Sequence, residues 1–230
     1  MSKSLKNVIN PDEMIAQYGA DSCRMYEMFM GPLDMSKPWN TQGLIGIFRF
    51  LEKILGIAGK ELTLCPVNDT STPEHAEITK LLNKTIKKIT EDTASLNFNT
   101  AISQMMIFIN ALGKYNSVPR FAWETFIKLL APYAPHLAEE LWEKLGYMET
   151  IAYAQWPMYV EKFCIDSECT IVVQINGKVR DKFQAAIDLP KDELEAIALK
   201  TDGAQRFLGG KPPKKVIVVR NKLVNIVTSF

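Results

Sequence analysis

Hydrophobic positions recur with the period of an α-helix over most of residues 10–145. The clearest run begins at Thr72-Pro73-Glu74 and is predicted to continue to about Leu96. Its apolar positions share one side of a helical wheel: Ile78, Leu82, Ile86, Ile89 and Leu96. Its lysines share the opposite side: Lys80, Lys84, Lys87 and Lys88. We therefore predict one core face and one lysine-rich face. The lysine-rich face is explained equally well by a solvated surface and by contact with a nucleic-acid backbone.

Further helices are predicted on both sides of this run. Asn10-Pro11-Asp12-Glu13 has the residues of a helix start, and Gly19 separates that short helix from a second one over about 20–30. Longer helical patterns cover 44–58, 97–115, 119–131 and 135–145. Long helices with short connections favour an antiparallel bundle.

The period changes to that of β-strands after residue 161. Strands are predicted over 171–175, 179–187, 215–220 and 223–228, with a helix over about 190–200. Asn176-Gly177 is a strong hairpin signal, but a simple two-residue loop pairs Val173 with Arg180. A three-residue loop would instead pair Ile175 with Val179 and Ile171 with Phe183. This longer loop or a bulge is favoured, because the buried face sets the register. Arg180 and Lys182 are then expected on the wetter face.

These patterns predict a multidomain, mainly α protein: an antiparallel helix bundle followed by a small α+β domain. Residues 157–168 are a candidate flexible linker. No apolar run is long enough to cross a membrane, and no apolar core follows the first lysines as a signal peptide would require. The four cysteines lack the spacing of a zinc site, so we expect reduced thiols and no metal.

The charge is uneven along the chain. Residues 1–163 hold 16 Lys and Arg against 18 Asp and Glu, whereas residues 164–230 hold 11 against 8. The basic residues near the two predicted turns of the C-terminal part are candidate phosphate contacts. They are Lys178, Arg180, Lys182, Lys211, Lys214, Lys215, Arg220 and Lys222.

Several segments resemble those of one family. The chain begins MSKSLKNVINPD, followed by SKPWN, NKTIKKITED, FNTAI, LLAPYAPHLAEELWEKLG and QWP, and it continues with IVVQINGKVRDK and KKVIVVRNKLVNIV. Together they resemble bacterial-type leucyl-tRNA synthetases, which are class I aminoacyl-tRNA synthetases. MSKS matches the family's KMSKS signature without its first lysine. Asn83 departs from the family pattern, in which a histidine is expected before Lys84.

The resemblance implies roles for the residues that match. Lys3 corresponds to the signature lysine that contacts the ATP phosphates and acts in catalysis, with Ser2 and Ser4 beside it. It implies a signature loop and stem-contact region over 1–40, a helix bundle of the anticodon-binding type over 41–160, and a C-terminal tRNA-binding domain over 164–230. Lys84, Lys87 and Lys88 and the C-terminal basic residues are the corresponding RNA contacts.

The resemblance also implies an activity and partners. The expected function is that of the tRNA-binding part of a cytoplasmic leucine–tRNA ligase that uses ATP with Mg²⁺ and acts on tRNA-Leu. We expect a monomer whose partners are tRNA-Leu and the catalytic and editing domains of the same polypeptide. The sequence contains no HIGH segment, so we expect this chain alone to be inactive. Two alternatives stay open: a protein-interaction scaffold with an exposed apolar patch, and a freestanding enzyme with a cleft between its domains.

Overall fold

The computed structural model describes residues 9–165, 168–210 and 212–228. The chain divides into two compact units, Met1–Cys164 and Ile165–Phe230. The first is mainly helical and the second combines a small sheet with helices, which confirms the predicted fold class. The finer division of the first unit at residue 40 stays a prediction. No helix in the described ranges is long and apolar enough to cross a membrane.

The first unit is built from helices and one short pair of strands. The helices are α1 (Pro11–Tyr18), α2 (Ala20–Phe29), α3 (Thr41–Ala58), α4 (Pro73–Ala94), α5 (Phe98–Leu112), α6 (Arg120–Leu130), α7 (Pro135–Lys144) and α8 (Glu161–Cys164). Strands β1 (Glu61–Thr63) and β2 (Ser117–Pro119) pair in parallel. The helical pattern of the sequence did not indicate this pair.

Side-chain caps fix where several of these helices begin. The Asn10 side chain accepts a hydrogen bond from the Asp12 amide at 3.2 Å, which confirms the predicted start of α1. Asn40 caps α3 in the same way, and Thr72 caps α4 through the His75 amide at 3.1 Å. Gly19 separates α1 from α2 with φ 84°, a left-handed conformation that favours glycine.

Helix α4 lies at the centre of the first unit and buries more than its apolar face. Ile78, Leu82, Ile86 and Ile89 are in the core as predicted. Leu96 was expected there but is 58% exposed, because α4 ends at Ala94 and Leu96 turns away with φ 59°. The buried surface of α4 also includes the polar side chains Thr79, Asn83, Thr85 and Asp92.

The buried polar side of α4 contacts the segment that leads towards the second unit. Trp156 donates through Nε1 to the Thr90 hydroxyl at 2.9 Å, and the Val160 amide donates to Asn83 Oδ1 at 2.7 Å. Lys87 pairs with Glu161 at 2.8 Å. The expectation of a flexible linker from residue 157 is therefore wrong for residues 157–164, which pack against α4.

The second unit is a four-stranded sheet with helices on one face. Its elements are β3 (Glu168–Ile175), β4 (Lys178–Ala186), α9 (Lys191–Lys200), α10 (Asp202–Leu208), β5 (Lys215–Val219) and β6 (Leu223–Val227). The strand order is β4-β3-β6-β5, with β3 and β6 parallel and the other neighbours antiparallel. Helices α9 and α10 bury Leu194, Ala198, Ala204 and Leu208 against the sheet.

The β3–β4 hairpin resolves the register conflict with a tight turn and a bulge together. Asn176 and Gly177 both have positive φ, and Ile175 pairs with Lys178 across this two-residue turn. A bulge between Val173 and Gln174 then shifts the register, so that Ile171 pairs with Phe183. The predicted bulge and the Ile171–Phe183 pair are confirmed, whereas the three-residue loop with Ile175 opposite Val179 is wrong.

Candidate nucleic-acid interface

The candidate site residues lie in three separate parts of the chain. Ser2, Lys3 and Ser4, which were expected to contact the ATP phosphates, lie outside the described residues, and so does Lys211, which was expected to contact RNA. The remaining candidate RNA contacts are the lysines of α4 and the basic residues of the second unit.

The lysines of α4 are partly engaged by acids of the first unit. Lys87 Nζ lies 2.8 Å from Glu161 Oε1 and 5.5 Å from the centre of the Tyr159 ring. The hydrogen bond to Glu161 is the main cause that raises the pKa of Lys87 above its ordinary value. Lys88 Nζ lies 2.8 Å from Asp92 Oδ1, and Lys80 and Lys84 also interact with neighbouring groups. The stripe therefore carries less uncompensated charge than its sequence indicates.

The basic residues of the second unit are all exposed where the structure describes them. The strand directions distribute most of them between the two ends of the sheet. Lys178, at the β3–β4 turn, is at the same end as Lys214 and Lys215, because β3 and β6 are parallel and the first residue of β5 pairs with the last of β6. Arg220 and Lys222 flank the β5–β6 turn at the other end. The two ends lie about 15 Å apart, because β6 has five residues and a strand rises by about 3.3 Å per residue.

The face of this sheet opposite α9 and α10, here called the open sheet face, joins these two ends. The register places Lys182 beside Val172 and Lys215 beside Val227 on this face. Between them lie apolar positions that are exposed or half-buried: Val172, Val179, Ile217, Val219, Leu223 and Val227. Among the described side chains of this face, which begin at Thr170 in β3, none is acidic and none is aromatic. Its chemistry suits contact with phosphates rather than stacking of bases.

Arg180 does not share this face with Lys182, so that expectation is wrong. The bulge turns Arg180 towards α10, where its guanidinium carbon lies 4.3 Å from the centre of the Phe207 ring. Asp181 is on the same side and accepts a hydrogen bond from the Gly203 amide at 2.8 Å. This bond and that from the Lys182 amide lower the pKa of Asp181. The acids of α9 and α10 also lie on the helix side: Asp192, Glu193, Glu195 and Asp202.

Comparison with known proteins identifies the family. Residues 75–196 match the family described as the anticodon-binding domain of tRNA ligase, which is more than half of the chain. The chain belongs to this family. The match begins in α4 and continues into α9 of the second unit, so it includes the buried polar side of α4 and the bulged hairpin.

Curated relatives extend the similarity over nearly the whole chain. A leucine–tRNA ligase of Treponema pallidum is 53% identical over 243 residues, covering 99% of this chain and 28% of that protein. A leucine–tRNA ligase of Borreliella afzelii is 52% identical over 228 residues, covering 99% of this chain and 26% of that protein. The chain therefore spans about a quarter of the length of these relatives, and it corresponds to their C-terminal part.

A solved structure has a similar fold. It is the ternary complex of Agrobacterium radiobacter K84 agnB2 LeuRS, tRNA and LeuAMS. The alignment covers all of this chain and 32% of that chain, with a TM-score of 0.73 and 27% identity. The resemblance to bacterial-type leucyl-tRNA synthetases noted from the sequence is thereby confirmed.

Proposed function

We propose that this chain is the tRNA-binding part of a leucine–tRNA ligase and that it positions tRNA-Leu for leucylation in the cytoplasm. The observation that carries the proposal is the 53% identity to a leucine–tRNA ligase across 99% of the chain. The basic residues of the open sheet face and its two ends supply a surface with the charge that a polyanion requires. In this proposal the ligase uses ATP with Mg²⁺, and Ser2, Lys3 and Ser4 contact the ATP phosphates.

The RNA contacts are assigned unequally between the two units. Lys182 and Lys215 on the open sheet face, with Lys178, Lys214, Arg220 and Lys222 at its ends, contact the phosphate backbone. Lys211 is included because it follows the α10 segment in the same basic part of the sequence. Lys84, Lys87 and Lys88 are weaker candidates, since contact with RNA requires Lys87 and Lys88 to exchange their carboxylate partners. Arg180 lies against the ring of Phe207, so in this proposal it contacts RNA from the helix side rather than from the open sheet face.

The test is a binding assay with a matched pair of double variants. Lys182→Gln with Lys215→Gln removes two charges from the open sheet face, and Lys191→Gln with Lys200→Gln removes two exposed charges from α9. Binding to tRNA-Leu is measured over a salt series. Each lost phosphate contact reduces the slope of log K against log salt by about 0.7–0.9. We expect a reduced slope for the open-face variant and an unchanged slope for the α9 variant.

Three outcomes separate this proposal from its alternative. Equal effects of the two double variants mean that the open sheet face is not the contact surface. Absence of salt-sensitive RNA binding favours the interaction scaffold, whose expected apolar patch corresponds to the exposed positions Val179, Ile217 and Val219. An unrelated tRNA without a long variable arm, bound as tightly as tRNA-Leu, indicates a backbone grip without selectivity.

We also propose that the chain alone does not form leucyl-adenylate. Its sequence holds one signature lysine but no HIGH segment, and a single positioned cation does not orient both substrates. The measurement is leucine-dependent exchange of pyrophosphate into ATP by the purified chain. Exchange above background that is lost in the Lys3→Ala variant contradicts the proposal.

A further inference from the structure

Three potential metal ligands converge beside the start of α4, outside the RNA-binding surface. Cys65 follows β1, Asp69 lies in the loop after it, and His75 is in the first turn of α4. One ligand atom from each residue lies within 4.8 Å of the others. The sequence gives no warning of this cluster, because the spacing C-x3-D-x5-H does not follow the paired cysteines of a common zinc site.

The carboxylate at the middle of the cluster is held in place by its own loop. Asp69 Oδ1 accepts from the Ser71 amide at 3.0 Å and Oδ2 accepts from the Ser71 hydroxyl at 2.9 Å. The Asp69 carbonyl accepts from the Thr79 hydroxyl of α4 at 2.7 Å. Ligands held by surrounding hydrogen bonds require little reorganisation when a metal binds.

The distance between Asp69 and His75 is also close to that of a coordinated pair. Asp69 Oδ2 lies 2.6 Å from His75 Nδ1. Bonds of about 2.0–2.2 Å from oxygen and nitrogen to a tetrahedral zinc ion place those atoms about 3.3 Å apart, so the pair has to separate by less than about 1 Å. The side chains of His75 and Asp69 are 19% and 11% exposed, which leaves access for one solvent ligand.

The donor set selects the kind of ion. One thiolate, one imidazole and one carboxylate form a mixed sulfur, nitrogen and oxygen set, which suits Zn²⁺ and disfavours Mg²⁺ and Ca²⁺.

We propose that Cys65, Asp69 and His75 bind one Zn²⁺ with water as the fourth ligand. The ion ties the loop after β1 to the first turn of α4. That loop also holds Asn68, whose Oδ1 accepts a hydrogen bond from Asn83 at 2.8 Å. Binding of the ion would therefore stabilise the attachment of this loop to α4.

The test uses the whole 230-residue chain after treatment with a chelator. Titration with Zn²⁺ is followed by calorimetry, and Co²⁺ is used as a spectroscopic substitute. We expect one equivalent of bound metal, a thiolate-to-cobalt charge-transfer band, and a melting temperature of the first unit that rises with Zn²⁺. Cys65→Ser removes the charge-transfer band, and Asp69→Asn and His75→Gln each weaken the affinity at least tenfold.

Cys164→Ser is the matched control, since Cys164 is a free, half-buried thiol outside the cluster. We expect the Cys164→Ser variant to keep the metal stoichiometry, the charge-transfer band and the affinity for Zn²⁺. Circular dichroism establishes whether each variant is folded. If Cys65→Ser does not fold, Asp69→Asn is used in its place. Absence of saturable binding overturns the proposal. Binding that Cys65→Ser and Asp69→Asn leave unchanged overturns it as well.

Discussion

Asn83 joins three segments of the first unit, and its removal has a calculable cost. Its side chain is fully buried. Nδ2 donates to Asn68 Oδ1 and to the Thr79 carbonyl, both at 2.8 Å, and Oδ1 accepts from the Val160 amide at 2.7 Å. One side chain thus connects the loop before α4, α4 itself and the segment that packs on it. The perturbation we consider is Asn83→Ala.

The magnitude follows from the partners left behind. The Thr79 carbonyl remains an acceptor within the α4 backbone, so removal of the Asn83 side-chain donor costs little free energy there. The Val160 amide loses its partner, and Asn68 loses the donor to its Oδ1. A hydrogen bond contributes about 1 kcal/mol net. Since Val160 is 37% exposed, its amide can bond to water once the Asn83 side chain is removed, and no further penalty is added. We expect the free energy of unfolding of the first unit to fall by about 2 kcal/mol.

The assay is urea unfolding followed by tryptophan fluorescence. All four tryptophans, at positions 39, 123, 142 and 156, belong to the first unit, so the signal reports that unit alone. Hydrogen exchange of the Val160 amide gives a local measurement on the same variant. Asn110→Ala is the control, because Asn110 is exposed on α5 and accepts a hydrogen bond from the exposed side chain of Lys53. It should change stability by less than about 0.5 kcal/mol.

A loss below about 0.5 kcal/mol in Asn83→Ala would refute this reasoning. So would an unchanged exchange rate at Val160, since the Val160 amide donates to Asn83 Oδ1. A large loss of stability combined with an unchanged Val160 amide would mean that the connection to Asn68, rather than to the later segment, is the important one.

Three further predictions concern other contacts. Lys60 donates to the carbonyls of Leu112, Gly113 and Tyr115 at the end of α5, so Lys60→Met should destabilise the first unit by about 2 kcal/mol in urea unfolding, with Lys53→Met nearly neutral. A Cβ added at Gly203 would lie 2.6 Å from the Arg180 carbonyl oxygen, so Gly203→Ala should lower the melting temperature of the second unit in circular dichroism. The pKa of Asp181 is lowered by the Gly203 amide, so its stabilising effect is complete above the unfolded pKa of about 3.9 and is lost as pH falls through the folded value. The Gly203 amide shift in NMR should follow that titration and lose it in Asp181→Asn.

The helices and the small sheet follow from local signals in the sequence. Proline at a first turn, asparagine and threonine caps and apolar periodicity gave the starts of α1 and α4 to within a residue. The error at Leu96 arose because a helical wheel assumes that the helix continues. Helix α4 ends two residues before Leu96, and a helical wheel contains no information about where a helix ends.

Contacts between distant residues were beyond sequence reasoning. The partner of Lys87 is 74 positions away, so a lysine stripe for which either solvent or a nucleic-acid backbone was expected is partly paired within the first unit. The direction of Arg180 depended on a bulge whose location only the pairing with β3 fixes. The Cys65, Asp69 and His75 cluster likewise depends on how the loop folds back onto α4.

The separation of charge across the second unit has a kinetic consequence. Six described basic residues lie on the open sheet face and its ends, whereas the helix side carries Asp181 and the acids of α9 and α10 together with only four basic residues: Arg180, Lys191, Lys200 and Arg206. Such a unit has an electric dipole moment, with its positive pole directed away from the helices. In the field of an approaching polyanion it experiences a torque before any contact forms, so more encounters arrive in a productive orientation. The association rate should then fall with ionic strength more steeply than the net charge alone requires.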